Sequence, residues 1–256
     1  MSVLSLLALS TTASLYGLDL VHNGPAQVAL SSVDPATGNV TVLGPPLTEL
    51  FGMSDLIAIA NGLFFYLGDT PGGATLVAIS LSTGLKVCSA HVNISEISFV
   101  GIGQSLDFDA TSDRLVLSGV NVEKTAHVVY RGDASASCGG FELIGTYGLA
   151  QYLPMLHAST LDPTNQRLYV TLAHSSQGSA LGVIDLAGEQ SLVVFDEGLT
   201  PDLHDLLLGM HFDAARGRVT PHPSPTWRLP CIGPLVLCCV CVCVCVCVCV
   251  CVRVCV

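Results

Sequence analysis

Three residues stand at equivalent places in a recurring segment: Asp107, Thr160 and His211 each lie two positions before an aspartate (Asp109, Asp162 and Asp213). Asp107 and His211 could ligate a metal or move protons, because carboxylate and imidazole change charge within reach of ordinary pH. His157 and His204 lie just upstream on approach segments. Asp107, His157 and His211 are therefore candidate channel-lining residues, provided the segments that carry them converge on one axis. The plainer alternative is polar strand residues facing solvent or a wet channel, and the spacing leans that way. His204 and His211 are seven apart, which suits one face of a helix but not a pair of strands.

No catalytic motif accompanies them. The chain has no Gly-rich phosphate loop, no His-Glu-x-x-His and no Gly-x-Ser-x-Gly. Gly101-Ile102-Gly103 lacks a third glycine and reads as a connecting loop. Arg131-Gly132-Asp133, an integrin-type tripeptide, reads as an ordinary turn. Catalytic residues are thus unassigned, no cofactor or metal is expected, and whether the chain is an enzyme stays open.

Ten of the 12 cysteines lie at or after Cys231, leaving Cys88 and Cys138 in the body of the chain. These two are 50 apart, and the expectation is two free or buried thiols rather than a disulfide, whose Cα atoms must approach within about 7 Å. Asn39-Val40-Thr41 and Asn93-Ile94-Ser95 are possible N-glycosylation triplets. An apolar stretch from Val3 to Leu9, followed by small residues, resembles a secretory signal over residues 1–15, although no positive charge precedes it. The competing reading makes Leu4 to Leu9 the first strand. A secreted or extracytoplasmic protein fits the triplets and the leader; a cytoplasmic one fits the alternative.

All 20 acidic residues precede Thr220, against seven of the nine basic ones, so the body carries −13. Such a body repels phosphate, and nucleic acid is excluded as a partner for want of clustered Lys and Arg. The partner expected instead is a protein or a small-molecule ligand.

The elements that must position these residues emerge from self-comparison. Leu106 to Val116, Thr160 to Val170 and His211 to Val219 share an Asp followed five residues later by Arg: Asp109 and Arg114, Asp162 and Arg167, Asp213 and Arg218. Asn61-Gly62 begins a degenerate copy one period earlier. In each copy the Asp opens a turn, where its carboxylate can accept backbone N–H groups two residues on. The Arg then opens the next strand, with its stem along the sheet and its head in water. A second pattern of alternating apolar residues around a polar-Gly turn recurs at Val28–Val42, Leu76–Val87 and Leu181–Leu192. Two hairpins for each repeat of about 50 residues make a four-stranded blade.

These repeats resemble those of YVTN-type and related quinoprotein-like β-propellers. The best copy is Arg167-Leu168-Tyr169-Val170-Thr171 followed by Val183-Ile184-Asp185-Leu186-Ala187-Gly188. Val116 stands where that unit has Tyr169, and Asn61-Gly62 departs from the Asp-Arg turn. The resemblance implies a fold and little about activity, since such propellers include binding scaffolds, lactone hydrolases and oxidoreductases. The expected fold is an all-β, incomplete β-propeller of about four four-stranded blades spanning 16–219. Its units fall near 16–50, 51–99, 100–153 and 154–203, with the start of a fifth at 206. A closed seven-bladed ring at this period would need about 350 residues, so a truncated body is expected, with unpaired edges and poor solubility.

From Thr220 the composition changes. Cys238 to Val256 alternates almost wholly between Cys and Val, as an in-frame (TG)n dinucleotide repeat would, since Cys codons begin TG and Val codons begin GT. Residues 220–256 therefore read as translated intron or dinucleotide repeat. Competing readings are a membrane anchor over Cys231–Val252, a thiolate metal tract and an aggregation-prone strand. The leading function is a non-catalytic binding or interaction scaffold. The alternatives are a fragment of a propeller enzyme (lactone hydrolase or oxidoreductase type) and, with a genuine tail, a membrane-tethered propeller.

Overall fold

A computed structural model describes residues 4–8, 15–21, 27–47, 56–70, 73–94, 97, 104–123, 125–149, 152–153, 159–174, 178–187, 192–195, 207–213 and 218–223. Their regular elements are all strands, arranged as four four-stranded antiparallel blades of a β-propeller and a two-stranded sheet. Blade 1 contains β1 (Leu4–Ala8), β2 (Leu15–Val21), β3 (Gln27–Val33) and β4 (Val40–Val42). Blade 2 contains β5 (Ile57–Ala60), β6 (Leu63–Thr70), β7 (Gly73–Ser80) and β8 (Lys86–His91). Blade 3 contains β9 (Ser105–Asp109), β10 (Arg114–Val120), β11 (Ala126–Asp133) and β12 (Phe141–Gly148). In each of these, strands pair in chain order. The first sheet takes in Leu4–Ala8, part of the stretch read as either a leader or a first strand.

Blade 4 adds a variation. Strands β14 (Ser159–Asp162), β15 (Arg167–His174), β16 (Gly178–Asp185) and β17 (Leu192–Phe195) follow the pattern, but β13 (Tyr152–Leu153) pairs on the same edge of β15, beyond β14. A final sheet joins β18 (Leu207–Asp213) to β19 (Arg218–Pro223). Strand β19 thus runs four residues past Val219, pairing Thr220 with His211 and Pro223 with Leu207. The Cys-Val run, His157, His204 and the Gly101–Gly103 loop lie outside the described residues.

The middle strands read as nearly continuous apolar runs because both of their faces are buried between blades. On β6, Phe64 and Tyr66 pack with Leu18, Val28 and Leu30 of blade 1. The alternate residues Phe65 and Leu67 pack with Leu106, Leu115 and Leu117 of blade 3. Blade 3 repeats the division: Val116 and Val129 meet Leu168, Val170 and Leu172 of blade 4. A period-2 strand thus contributes to two cores at once.

First strands meet one another: β5 packs on β9, β9 on β14, and β14 on β18. This places the starts of blades 2, 3 and 4 and of the last sheet at the hub, with the fourth strands outside. There β4 exposes Val40 and Val42, and β8 exposes Val87.

Two expectations are corrected. Cys88 of β8 and Cys138 form a disulfide, with Cα atoms 5.8 Å apart. The segment after β11 curls back toward blade 2. Ala134 and Cys138 sink into the core shared with blade 2, which closes the gap. Arg131-Gly132-Asp133 is the end of strand β11, not a turn. Gly132 lies beneath the Phe141 ring, which a side chain there would strike.

Candidate functional site at the hub of blades 3 and 4

The Asp-to-Arg segments form tight connections between first and second strands. In blade 3 the Thr111 amide donates to Asp109 Oδ1 at 2.9 Å; in blade 4 the Thr164 amide donates to Asp162 Oδ1 at 3.0 Å. Asp109 then faces Arg114 in register, Asp162 faces Arg167, and Asp213 faces Arg218. Each turn closes on a left-handed residue: Asp113 at φ 56°, Gln166 at 52°, and Asn61 at 52° in the degenerate copy. Arg114 reaches Glu142 of β12 at 3.5 Å on the surface.

Successive turns also bond to one another. Asn61 Nδ2 donates to Asp113 Oδ1 at 2.8 Å, and Thr111 Oγ1 to the Pro163 carbonyl at 2.8 Å. Gln166 Nε2 donates to Asp109 Oδ2 at 2.9 Å, while Arg131 donates to Gln166 Oε1 at 3.4 Å. Burial alone would raise the Asp109 pKa. The Ser112 hydroxyl, the Gln166 amide and the amides of Thr111 and Ser112 outweigh it and hold the carboxyl below its ordinary value.

Two residues earlier on the same strands lie the sites singled out for chemistry. Asp107 faces Val116 in register, Thr160 faces Tyr169, and His211 faces Thr220. These equivalent positions stand on first strands that pack on one another in turn, and blade 2 places Ala58 opposite Phe65 in the same way. His157 is outside the described residues, and of His211 only the backbone is described.

Asp107 is the centre of a polar cluster that joins blade 3 to blade 4. Ser105 Oγ donates to Asp107 Oδ2 at 2.8 Å, and the backbone of Leu161, on β14, bonds to the same carboxyl. Ser105 Oγ lies 3.0 Å from Ser118 Oγ, and Ser118 Oγ lies 2.8 Å from Ser159 Oγ. Ser159 in turn donates to Ser105, so hydroxyls of β9, β10 and β14 form one cluster whose proton chain ends on Asp107. Protein crowds Asp107 densely although part of its surface stays accessible. That burial pushes its pKa up to about 6, against the opposing pull of Ser105 and Leu161.

Sequence reasoning missed the serines because no motif marks them. A signal was available in Ser118, a hydroxyl inside the apolar run Leu115–Val120: such a group, once buried, requires a partner. Among the described residues no group of three or more His, Cys, Asp or Glu could hold a metal ion. Among them, too, no helix is long and apolar enough to cross a membrane.

No protein-family model matches the chain, and no curated protein does. Among solved structures it is similar to a structural genomics protein of unknown function from Bacteroides thetaiotaomicron: 12% identity, TM-score 0.50, over 71% of this chain and 44% of that one. It is also similar to TolB from Acinetobacter baumannii, at 12% identity and TM-score 0.45, over 71% and 40% of the two chains. A third is the β-propeller domain of the Trilobed protease from Pyrococcus furiosus, with 8% identity and TM-score 0.43, over 77% and 58%. The chain therefore spans less than two thirds of the length of each of these structures.

Proposed function

We propose that this propeller is a non-catalytic binding scaffold, with a ligand seat at the hub around Asp107. The observation that carries the reading is the cluster of Ser105, Ser118 and Ser159 that donates into the Asp107 carboxyl, itself held at about 6. Ser159 gives its proton to Ser105 and Ser105 gives its own to Asp107, a weak base, so no hydroxyl is set up as a nucleophile by a strong base. Asp107, ionised at neutral pH in crowded surroundings, gains from a ligand that brings N–H or O–H donors. The ligand class that fits is therefore an amine or polyhydroxyl group, on a small molecule or a protein surface. His157 and His211 are proposed to line the same channel from the two units that follow. The repeat is proposed to be of the YVTN-type and related group, supported by Arg167–Thr171 and Val183–Gly188.

A second reading, a propeller-enzyme fragment, draws support from the Ser105–Asp107 pair, because a carboxyl near 6 is suited to proton transfer. One experiment separates the two. The full chain is screened against polyamines, sugars and a lactone panel by thermal shift and by turnover. The scaffold reading expects an amine or polyol that raises Tm at pH 7.5, less so below pH 6, and not in Asp107→Asn. A ligand shift unchanged by that substitution would overturn it. So would lactone turnover abolished by it.

A further inference from the structure

Blades 2 and 3 are joined by more than packing. Cys88 stands on the outermost strand of blade 2 and Cys138 in the connection between β11 and β12 of blade 3, so their bond spans two separately folded sheets. The position of Cys138 is unusual for its residue type: its φ is +50°, a left-handed conformation that glycine adopts at no steric cost and that cysteine resists. Gly139 and Gly140 follow directly. Local backbone preference does not account for a cysteine there, whereas a bond to Cys88 does. Cys138 lies in the interblade core at 3% exposure.

A second and independent observation comes from blade 1. Asn39, Val40 and Thr41 are all exposed, at the end of the β3–β4 turn and the start of β4. The turn is fixed by Asp34, whose backbone N–H bonds the Asn39 carbonyl at 2.9 Å. The complete triplet lies on an outer edge with its asparagine clear of the core. Asn93 is also exposed, but Ile94 beside it is buried at 3%, so Asn93 sits directly against a core residue.

We infer that the chain matures in an oxidising, glycosylating compartment, where Cys88 and Cys138 are joined as an interblade staple and Asn39 carries an N-linked glycan. The disulfide forms by thiol–disulfide exchange. The two thiols give up two protons and two electrons to the disulfide of an oxidoreductase, which leaves as a dithiol. In a reducing cytosol the same pair would stay as thiols. A glycan beside Val40 and Val42 would also shield the exposed edge of β4 from pairing with other chains.

Protein recovered from its own cells, with thiols blocked at lysis, tests both halves. Trypsin releases Cys88 in peptide 87–114 and Cys138 in peptide 132–167. The expected result is one linked pair that separates only after reduction. Enzymatic deglycosylation in heavy-oxygen water is expected to convert Asn39 to a labelled aspartate. Blocked Cys88 and Cys138 in unreduced protein, or an unmodified Asn39, overturns the inference. Recombinant full chain supplies a further check. The paired Cys88→Ser and Cys138→Ser substitution is expected to lower Tm by roughly 5–10 °C, and reductant is expected to reproduce that shift in the unsubstituted chain. An unchanged Tm in both overturns the staple.

Discussion

Asp107 and Asp109 lie two residues apart on one strand, yet their surroundings drive them in opposite directions. Asp107 holds its proton more tightly in the folded chain than in the unfolded one, its pKa being raised from 3.8 to about 6. Its contribution to stability is therefore greatest below pH 4 and declines as pH rises to 6 and beyond. Asparagine mimics the protonated form. Asp107→Asn is expected to match the parent chain near pH 3.5 and to exceed it by about 1–3 kcal/mol at pH 7.5, measured by denaturant unfolding across pH. A substituted chain less stable at pH 7.5 would show the charge to be welcome there. Asp109 behaves conversely: its lowered pKa means stability present above the unfolded value and lost as pH falls through the folded one. Asp109→Ala removes the acceptor for Thr111, Ser112 and Gln166 together. It is expected to cost about 2–4 kcal/mol at pH 7, far more than the same change at exposed Asp34, which bonds only within its own turn.

Blade-to-blade contact is a property of elements, and two glycines isolate it. Gly38 and Gly84 occupy the same place in the outer hairpin turns of blades 1 and 2, with φ of 72° and 66°. Around Gly38 there is open space, whereas a Cβ on Gly84 would run into the backbone of Leu43 and Gly44 in blade 1. Alanine at 38 is expected to cost about 1 kcal/mol, the conformational penalty alone. Alanine at 84 adds the overpacking of two backbones, about 1–3 kcal/mol more. Equal losses in thermal unfolding would contradict a tight contact between these hairpins. The same division marks what the sequence made legible. Turns opened by Asp109 and Asp162, the second hairpin closed by Gly84, and the doubly apolar middle strands are local patterns, so they can be read from neighbouring residues. Bonds such as Asn61 to Asp113 or Thr111 to Pro163 link residues 52 apart, and only the docking of whole blades creates them. The Cys88–Cys138 bond is of the same kind: it depends on segment 134–140 packing back against blade 2, which no local pattern announces.

For the molecule as a whole, the open matter is where the propeller sequence gives way to something else. The composition changes at Thr220, yet β19 continues to Pro223, paired with β18. Pairing through backbone groups does not require that the side chains were selected for it, and this strand carries the opposite sign. Pro221 and Pro223 lack the N–H a ladder needs, and proline within a strand belongs at an edge. Residues 220–223 can therefore extend an edge strand without having been part of the repeat. We predict that the segment from Thr220 onward is translated repeat DNA that adds nothing to the stability of the blades. Ending the chain after Val219 is expected to leave the unfolding midpoint within about 1–2 °C of the full chain, because the described interblade cores lie between residues 18 and 184. It is also expected to raise solubility, since an alternating Cys-Val run favours cross-β association. A large fall in Tm would assign the tail a packing role. Sequencing the messenger RNA gives an independent reading. If the mature message joins the codons for Gly217-Arg218 directly to those for the tail, the intron origin fails, and the membrane-anchor and thiolate readings of the tail return.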